Sequence, residues 1–70
     1  MPAPSPAFLK LCHLADESGL TVDLEVYGTA AGPLWVLIAG TEEKRVSAQA
    51  HAHDIADVLG GMADAILDTI

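Results

Sequence analysis

The chain has 70 residues, of which 51% are apolar, and a formal net charge of −7. This length predicts a single domain over residues 1–70, and the charge argues against direct binding to nucleic acid or to an anionic membrane, because both require a basic surface. The chain has one cysteine and no recognisable leader, and its longest apolar run (residues 34–39) is far below the ~20 residues that span a bilayer. These features predict a cytoplasmic protein.

A proline-rich lead-in over residues 1–4, which we expect to be flexible, precedes a predicted first helix. Ser5 supplies an N-cap, and Pro6 occupies the first helical position, where its missing N–H costs nothing. Gly19 supplies a left-handed stop. The apolar stripe of this helix consists of Phe8, Leu11, Cys12 and Ala15. Because Cys12 lies on that stripe, we predict a small core residue there and not a nucleophile.

Three strands are predicted after the first helix. Residues 20–27 alternate between apolar and polar side chains, which is typical of a half-buried strand. A loop over residues 28–33 leads to a strand over residues 34–39 that is apolar on both faces. After a turn over residues 40–43, a third strand begins at residue 44. Its end stays open, because residues 46–52 alternate as a strand would while their alanines favour a helix.

The last helix is predicted to begin between residues 47 and 53 and to run to about Asp68. Gly60 and Gly61 weaken it by ~1 kcal/mol each relative to alanine. The apolar phase continues across them, so we predict one helix, bent there at most, in preference to two. The element order therefore predicts an α+β fold, a two-layer αβββα domain in which a three-stranded antiparallel meander carries both helices on one face.

The strand pattern also predicts which side chains the helices cover. An even first hairpin sets Val26 opposite Trp35 and Leu24 opposite Leu37, and either length of the second turn keeps Val46 on the same side. The predicted helix-covered face consists of Leu20, Val22, Leu24, Val26, Trp35, Leu37, Ala39 and Val46.

The reverse face carries an apolar row on the middle strand that the chain has no further element to cover. Asp23, Glu25 and Tyr27 flank this row on one side, with Arg45 and Ser47 on the other. An apolar centre with a polar rim is typical of an interface, although neighbouring long side chains can also lie over such a row. We predict a partner-binding or dimer face formed by Tyr27, Leu34, Val36, Ile38 and Arg45.

Four aspartates fall within roughly 80° of one another on the wheel of the predicted last helix. They are Asp54, Asp57, Asp64 and Asp68. No lysine or arginine follows Arg45, so this helix lacks the paired charges that usually support an exposed helix. We interpret the four as an acidic face that meets a basic partner surface, with a plain solvated face as the alternative.

The sequence offers little chemistry for catalysis. The cluster of His51, His53, Asp54 and Asp57 has the composition of a metal site. On a helix His53 and Asp57 could share an ion, and on a strand His51 and His53 could, but neither pair has a third and fourth ligand at a convincing spacing. No glycine-rich phosphate loop is present, and 70 residues are too few to enclose a substrate pocket of ordinary size. We therefore predict no enzyme, no catalytic residue, no metal and no cofactor.

Three resemblances bear on function. The element order resembles that of the double-stranded-RNA-binding domain, but residues 48–53 lack that family's basic cluster, so RNA binding is not implied. Phe8, Leu9 and Leu11, followed by Gly19-Leu20, look like the opening of acidic secretion chaperones, a family that dimerises and holds unfolded effectors. The small size, strong acidity and apolar face look like phage-encoded inhibitors of host defence, including anti-CRISPR proteins.

These observations predict a small acidic inhibitor or adaptor, anti-CRISPR-like or nucleic-acid-mimicking in kind, that occupies a protein partner with a basic surface. The alternative is a dimeric acidic chaperone or assembly factor that binds a hydrophobic segment. A homodimer is expected in either case, because an apolar fraction of 51% exceeds what so short a chain can bury by itself.

Overall fold

The computed structural model describes residues 5–70, and the lead-in predicted for residues 1–4 lies outside them. The elements in chain order are α1 (Pro6–Ser18), β1 (Thr21–Thr29), β2 (Gly32–Gly40), β3 (Arg45–His51), a 3-10 turn (Ile55–Asp57) and α2 (Leu59–Thr69). The strands form one antiparallel sheet in the order β1-β2-β3. The predicted α+β fold with its three-stranded antiparallel meander is confirmed.

Helix α1 begins and ends where the sequence predicts. The Ser5 hydroxyl accepts a hydrogen bond from the Phe8 N–H at 3.3 Å, and Pro6 is the first helical residue. Gly19 ends the helix with a φ of 72°, a conformation that glycine adopts without strain. The prediction that Cys12 is a core residue is wrong, because its side chain is exposed. The buried side of α1 centres on Leu11, and the next residue lies 100° further round the helix.

The β1–β2 register is the predicted one, with Val26 opposite Trp35 and Leu24 opposite Leu37. The connection between these strands is shorter than the loop predicted over residues 28–33. Strand β1 continues to Thr29 and β2 starts at Gly32, so that two residues form the turn.

The Thr29 side chain organises this turn. Its hydroxyl donates to the carbonyl of Gly32 at 2.6 Å and accepts from the Ala31 N–H at 3.2 Å. Gly32 has a φ of 108°, which side chains rarely tolerate. The glycine that the sequence analysis assigned to a long loop therefore closes a tight hairpin.

The last α-helix begins at Leu59 and not between residues 47 and 53 as predicted, and the structure gives the end of β3 that the sequence leaves open. Strand β3 continues to His51, because the ladder with β2, in which Ala48 pairs with Leu37, outweighs the helical preference of alanine. Asp54 then caps the 3-10 turn by accepting from the Ala56 N–H at 3.0 Å. Val58, with φ −122° and ψ −13°, separates this turn from α2. The chain thus forms two helical segments where one was predicted, and the break precedes Gly60 and Gly61.

The core lies between the helices and the middle of the sheet. Its buried residues are Leu11, Leu37, Ala39, Met62, Ala63 and Ile66. They come from β2 and from both helices, which places the helices on the same face of the sheet. Leu24 and Val26 of β1 lie on that face by register but are 44% and 54% exposed. Within residues 5–70, the helices cover β2, β3 and Val22 of β1 and leave Leu24 and Val26 without the predicted cover.

Candidate protein-binding face of the sheet

The apolar row of β2 lies on the side of the sheet away from the helices. Leu34, Val36 and Ile38 alternate along the strand with the buried core residues Leu37 and Ala39, so their side chains point to the opposite face. All three are partly exposed, and none belongs to the apolar residues packed against the core. We call this side of the sheet the open face.

Each residue of the row has one neighbour on β1 and one on β3. The cross-strand sets are Asp23–Ile38–Ser47, Glu25–Val36–Gln49 and Tyr27–Leu34–His51. Directly opposed residues in antiparallel strands share a face. A polar rim of carboxylates on β1 and uncharged or cationic side chains on β3 therefore borders the apolar row.

The five residues predicted for this face are all placed on it by the register. Arg45 pairs with Gly40, which is the next residue after Ile38 on this face of β2, so Arg45 lies at the corner of the face. The sequence analysis missed Gln49 and His51, because it left the end of β3 open. The unbroken alternation of residues 46–52 was the signal that could have assigned them.

A shallow hollow of about 410 Å³ occupies the middle of the open face. Its lining residues are Glu25, Tyr27, Val36, Ile38, Arg45, Val46, Ser47 and Gln49. The hollow lies open to solvent, with an apolar floor, a carboxylate on one side and a guanidinium on the other. Such a surface suits a side chain projecting from a partner protein better than an enclosed small molecule.

Tyr27 is held at the rim of this hollow by its neighbour on the same strand face. Its phenol donates a hydrogen bond to a carboxylate oxygen of Glu25. That hydrogen bond, followed by the negative charge of Glu25 and a small loss of hydration, raises the pKa of Tyr27 above its ordinary value of 10.0. The ring is 50% exposed, so an aromatic surface beside the hollow faces solvent.

The four aspartates do not share one helix face as predicted. Asp54 caps the 3-10 turn and Asp57 belongs to that turn, so neither lies on α2. Asp57 lines a hollow between α2 and β3, whereas Asp64 and Asp68 line another hollow with Lys10 of α1. The prediction assumed one continuous helix, whereas the break at Val58 places Asp57 beside a different hollow from Asp64 and Asp68.

Among residues 5–70, no three histidine, cysteine, aspartate or glutamate side chains are grouped so that they could hold a metal ion. Neither of the described α-helices has the length and apolar character needed to cross a bilayer.

No family model, curated protein or solved structure gives a significant match to this chain. The open face and the exposed parts of the sheet are therefore the features from which a function is inferred.

Proposed function

We propose that this chain is a small acidic protein-binding module, an inhibitor or adaptor that occupies a partner protein through the open face of its sheet. The observation that carries the proposal is the apolar row of Leu34, Val36 and Ile38, which lies on the side of the sheet opposite both helices. Interfaces combine an apolar centre with a polar rim, and this face has both.

Charge favours a partner with a basic rim. The net charge is −7, and the β1 side of the open face carries Asp23 and Glu25. Charges at the edge of an interface mainly accelerate association and discourage wrong partners, while the apolar centre supplies affinity. The separation of the four aspartates weakens the idea of a nucleic-acid mimic, in which closely spaced carboxylates would replace phosphates. The open face is thus the stronger basis for binding.

A dimeric acidic chaperone or assembly factor is the second candidate, with the open face holding an apolar segment or a second copy of the chain. The observation in its favour is that apolar exposure extends beyond the open face to Leu24 and Val26 on the other side of β1. Salt separates the two candidates. Affinity that falls steeply as ionic strength rises supports the acidic inhibitor or adaptor, and affinity that barely changes supports the chaperone.

The substitution Val36→Glu tests the open face, because it places a charge at the centre of the apolar row. Ala65→Glu is the matched control, since it adds the same charge at an exposed position of α2. Circular dichroism should show both variants folded. We expect Val36→Glu to abolish self-association, measured by light scattering, or binding to the partner that the wild type captures. Ala65→Glu should leave self-association and partner binding unchanged. Unchanged mass and unchanged partner retention in a folded Val36→Glu variant would contradict the proposal.

A further inference from the structure

We propose that the free edge of β1 is a second docking surface, which accepts an extended peptide segment of alternating basic and apolar residues as a fourth strand of the sheet. This surface is separate from the open face, because it uses the backbone of an edge strand and not the side chains of β2. Strand addition of this kind takes its affinity from main-chain hydrogen bonds and its specificity from alternate side chains.

Within residues 5–70, the pairing of the strands shows which backbone groups of β1 have no strand partner. Pro33 has no N–H, and its carbonyl accepts from the Ala52 N–H at 3.2 Å, on the β3 side. Its β1 neighbour Gly28 is therefore not a hydrogen-bonded partner of β2. Because hydrogen-bonded and non-hydrogen-bonded pairs alternate in an antiparallel ladder, every second residue before Gly28 also points its N–H and C=O groups at the free edge. Those residues are Val22, Leu24 and Val26.

The β1 edge lacks the proline, the lysine and the bulge that often block an added strand, and its two charged residues, Asp23 and Glu25, repel only an acidic strand. It is nine residues long, and its pairing with β2 runs without a bulge from Thr21 to Thr29. The strand contains neither proline nor lysine, residues by which natural proteins protect an exposed edge. The other edge strand, β3, has seven residues, and its alanines on the helix side pack against the core. The long unprotected edge is therefore that of β1.

The side chains of β1 specify the chemistry of the added strand. Asp23 and Glu25 project on the open face, whereas Leu24 and Val26 project on the helix side and are 44% and 54% exposed. A directly opposed residue on an added strand shares the face of its partner. The complementary segment therefore carries lysine or arginine against the two carboxylates and apolar residues against Leu24 and Val26. The chain itself has three lysine and arginine residues in total, so the complement comes from another protein.

A second copy of this chain fits the edge less well. Antiparallel pairing of two β1 strands centred on Glu25 sets Glu25 against Glu25 of the second copy. A centre at Leu24 sets Asp23 against Glu25 of the second copy. Like charges directly opposed destabilise a pair of strands. A centre at Val26 avoids both clashes and sets Val26 against Val26 of the second copy, but it sets Leu24 against Gly28, so Leu24 has no apolar partner.

Amide hydrogen exchange of the full chain tests this inference with a synthetic peptide, Thr-Lys-Val-Arg-Val-Lys-Thr. Its control has the same composition in the order Lys-Lys-Arg-Thr-Thr-Val-Val. We expect the alternating peptide to slow exchange at the N–H groups of Val22, Leu24 and Val26 about tenfold or more, because each gains a hydrogen bond. The scrambled peptide should leave these amides unchanged. Equal protection by both peptides, or protection confined to other residues, would overturn the inference.

Two variants assign the binding to the edge. N-methylation of the Leu24 amide, introduced by chemical synthesis of the chain, removes one outward donor without changing a side chain, and should weaken peptide binding by about tenfold. The double substitution Asp23→Lys and Glu25→Lys should transfer the preference to the acidic peptide Thr-Glu-Val-Asp-Val-Glu-Thr. Unchanged affinity of the N-methylated chain, or unchanged peptide preference of the double variant, would overturn the inference.

Val36→Glu distinguishes this inference from the proposed function. Because Val36 lies on β2 and points to the open face, Val36→Glu should retain peptide binding at the β1 edge even where it abolishes binding through the open face. Loss of peptide binding in a folded Val36→Glu variant would show that the peptide occupies the open face, and the edge would then not be the site. If light scattering shows a dimer, and N-methylation of Leu24 abolishes it, then the edge binds a second copy of the chain. That result would also overturn the inference.

Discussion

At the scale of single residues, the pairing of Tyr27 with Glu25 predicts an observable titration. The phenol must keep its proton to donate to the carboxylate, so the pKa of Tyr27 lies above 10.0. Any stability from this pair is present below the ordinary tyrosine pKa and is lost as pH rises through the raised one. The chain has one tyrosine, and its one tryptophan does not ionise, so the change in near-ultraviolet absorbance at alkaline pH reports the ionisation of Tyr27.

The test is the same titration in a Glu25→Gln variant. We expect the Tyr27 pKa to fall toward its ordinary value, because the amide carries no charge and is a weaker acceptor. A pKa that is the same in both proteins would show that the phenol and the carboxylate do not pair in solution.

Gly40 is the glycine with the strictest backbone requirement. Its φ is 150°, and a Cβ at this position would overlap the Lys44 carbonyl oxygen and lie 2.8 Å from the Arg45 Cα. That carbonyl cannot easily move, since it accepts from the Thr41 N–H at 2.8 Å. We expect Gly40→Ala to lower the free energy of unfolding by about 2 kcal/mol, measured by urea denaturation.

Gly28→Ala is the matched control for Gly40→Ala. Gly28 has no positive φ, and a Cβ there would meet no atom within 4 Å. Alanine restricts the unfolded chain without straining the strand, so this variant should be as stable as the wild type or gain up to about 1 kcal/mol. Equal losses in both variants would show that the Gly40 contacts are not the cause.

At the scale of secondary-structure elements, the two glycines of α2 differ in what surrounds them. A Cβ at Gly61 would meet no atom within 4 Å, whereas one at Gly60 would lie 3.2 Å from the Ser5 hydroxyl. That hydroxyl caps α1. Gly61→Ala should therefore raise the free energy of unfolding by about 1 kcal/mol, which corresponds to a Tm increase of about 4–8 °C for a domain of this size.

Gly60→Ala should raise the free energy of unfolding less than Gly61→Ala does, or lower it. The added Cβ crowds the Ser5 hydroxyl, and an N-cap of this kind contributes about 1 kcal/mol. Thermal unfolding of the two variants side by side gives the comparison. An equal gain at both positions would mean that α1 and α2 do not approach each other closely at Ser5.

The strands could be predicted from the sequence better than the second helix. The alternation along β1 and β3 shows which of their residues share a face. Together with an even hairpin between β1 and β2, it predicts that Val26 lies opposite Trp35, as the structure shows. The alanines of β3 follow the same alternation, but their preference for a helix competes with it, so the sequence alone leaves the end of β3 open. The break at Val58 falls between apolar residues whose helical phase continues across it, so periodicity alone cannot reveal it.

At the scale of the whole molecule, the sequence predicts the face of each strand residue but not how far the helices extend over the sheet. Leu24 and Leu37 are directly opposed and belong to the same face. Coverage depends on where α1 and α2 settle against each other and on the sheet, which depends on packing between distant residues. The same distinction applies to the two candidate surfaces. The open face could be predicted from the alternation along the strands, whereas the exposure of Leu24 and Val26 depends on where the helices pack.

Leucine-to-alanine substitutions at these two opposed positions test the arrangement of the layers. Leu37 is fully buried, so Leu37→Ala should cost about 2–5 kcal/mol through lost burial and the cavity that remains. Leu24 is 44% exposed in the isolated chain, so Leu24→Ala should cost less than about 1 kcal/mol in urea denaturation. A dimer or an added strand that covers β1 would raise the cost at Leu24, and the unfolding midpoint would then depend on the concentration of protein or peptide. A large cost at Leu24 that does not vary with concentration would mean that the helices extend over β1 in solution, and the Leu24 side chain would then be covered within a single chain.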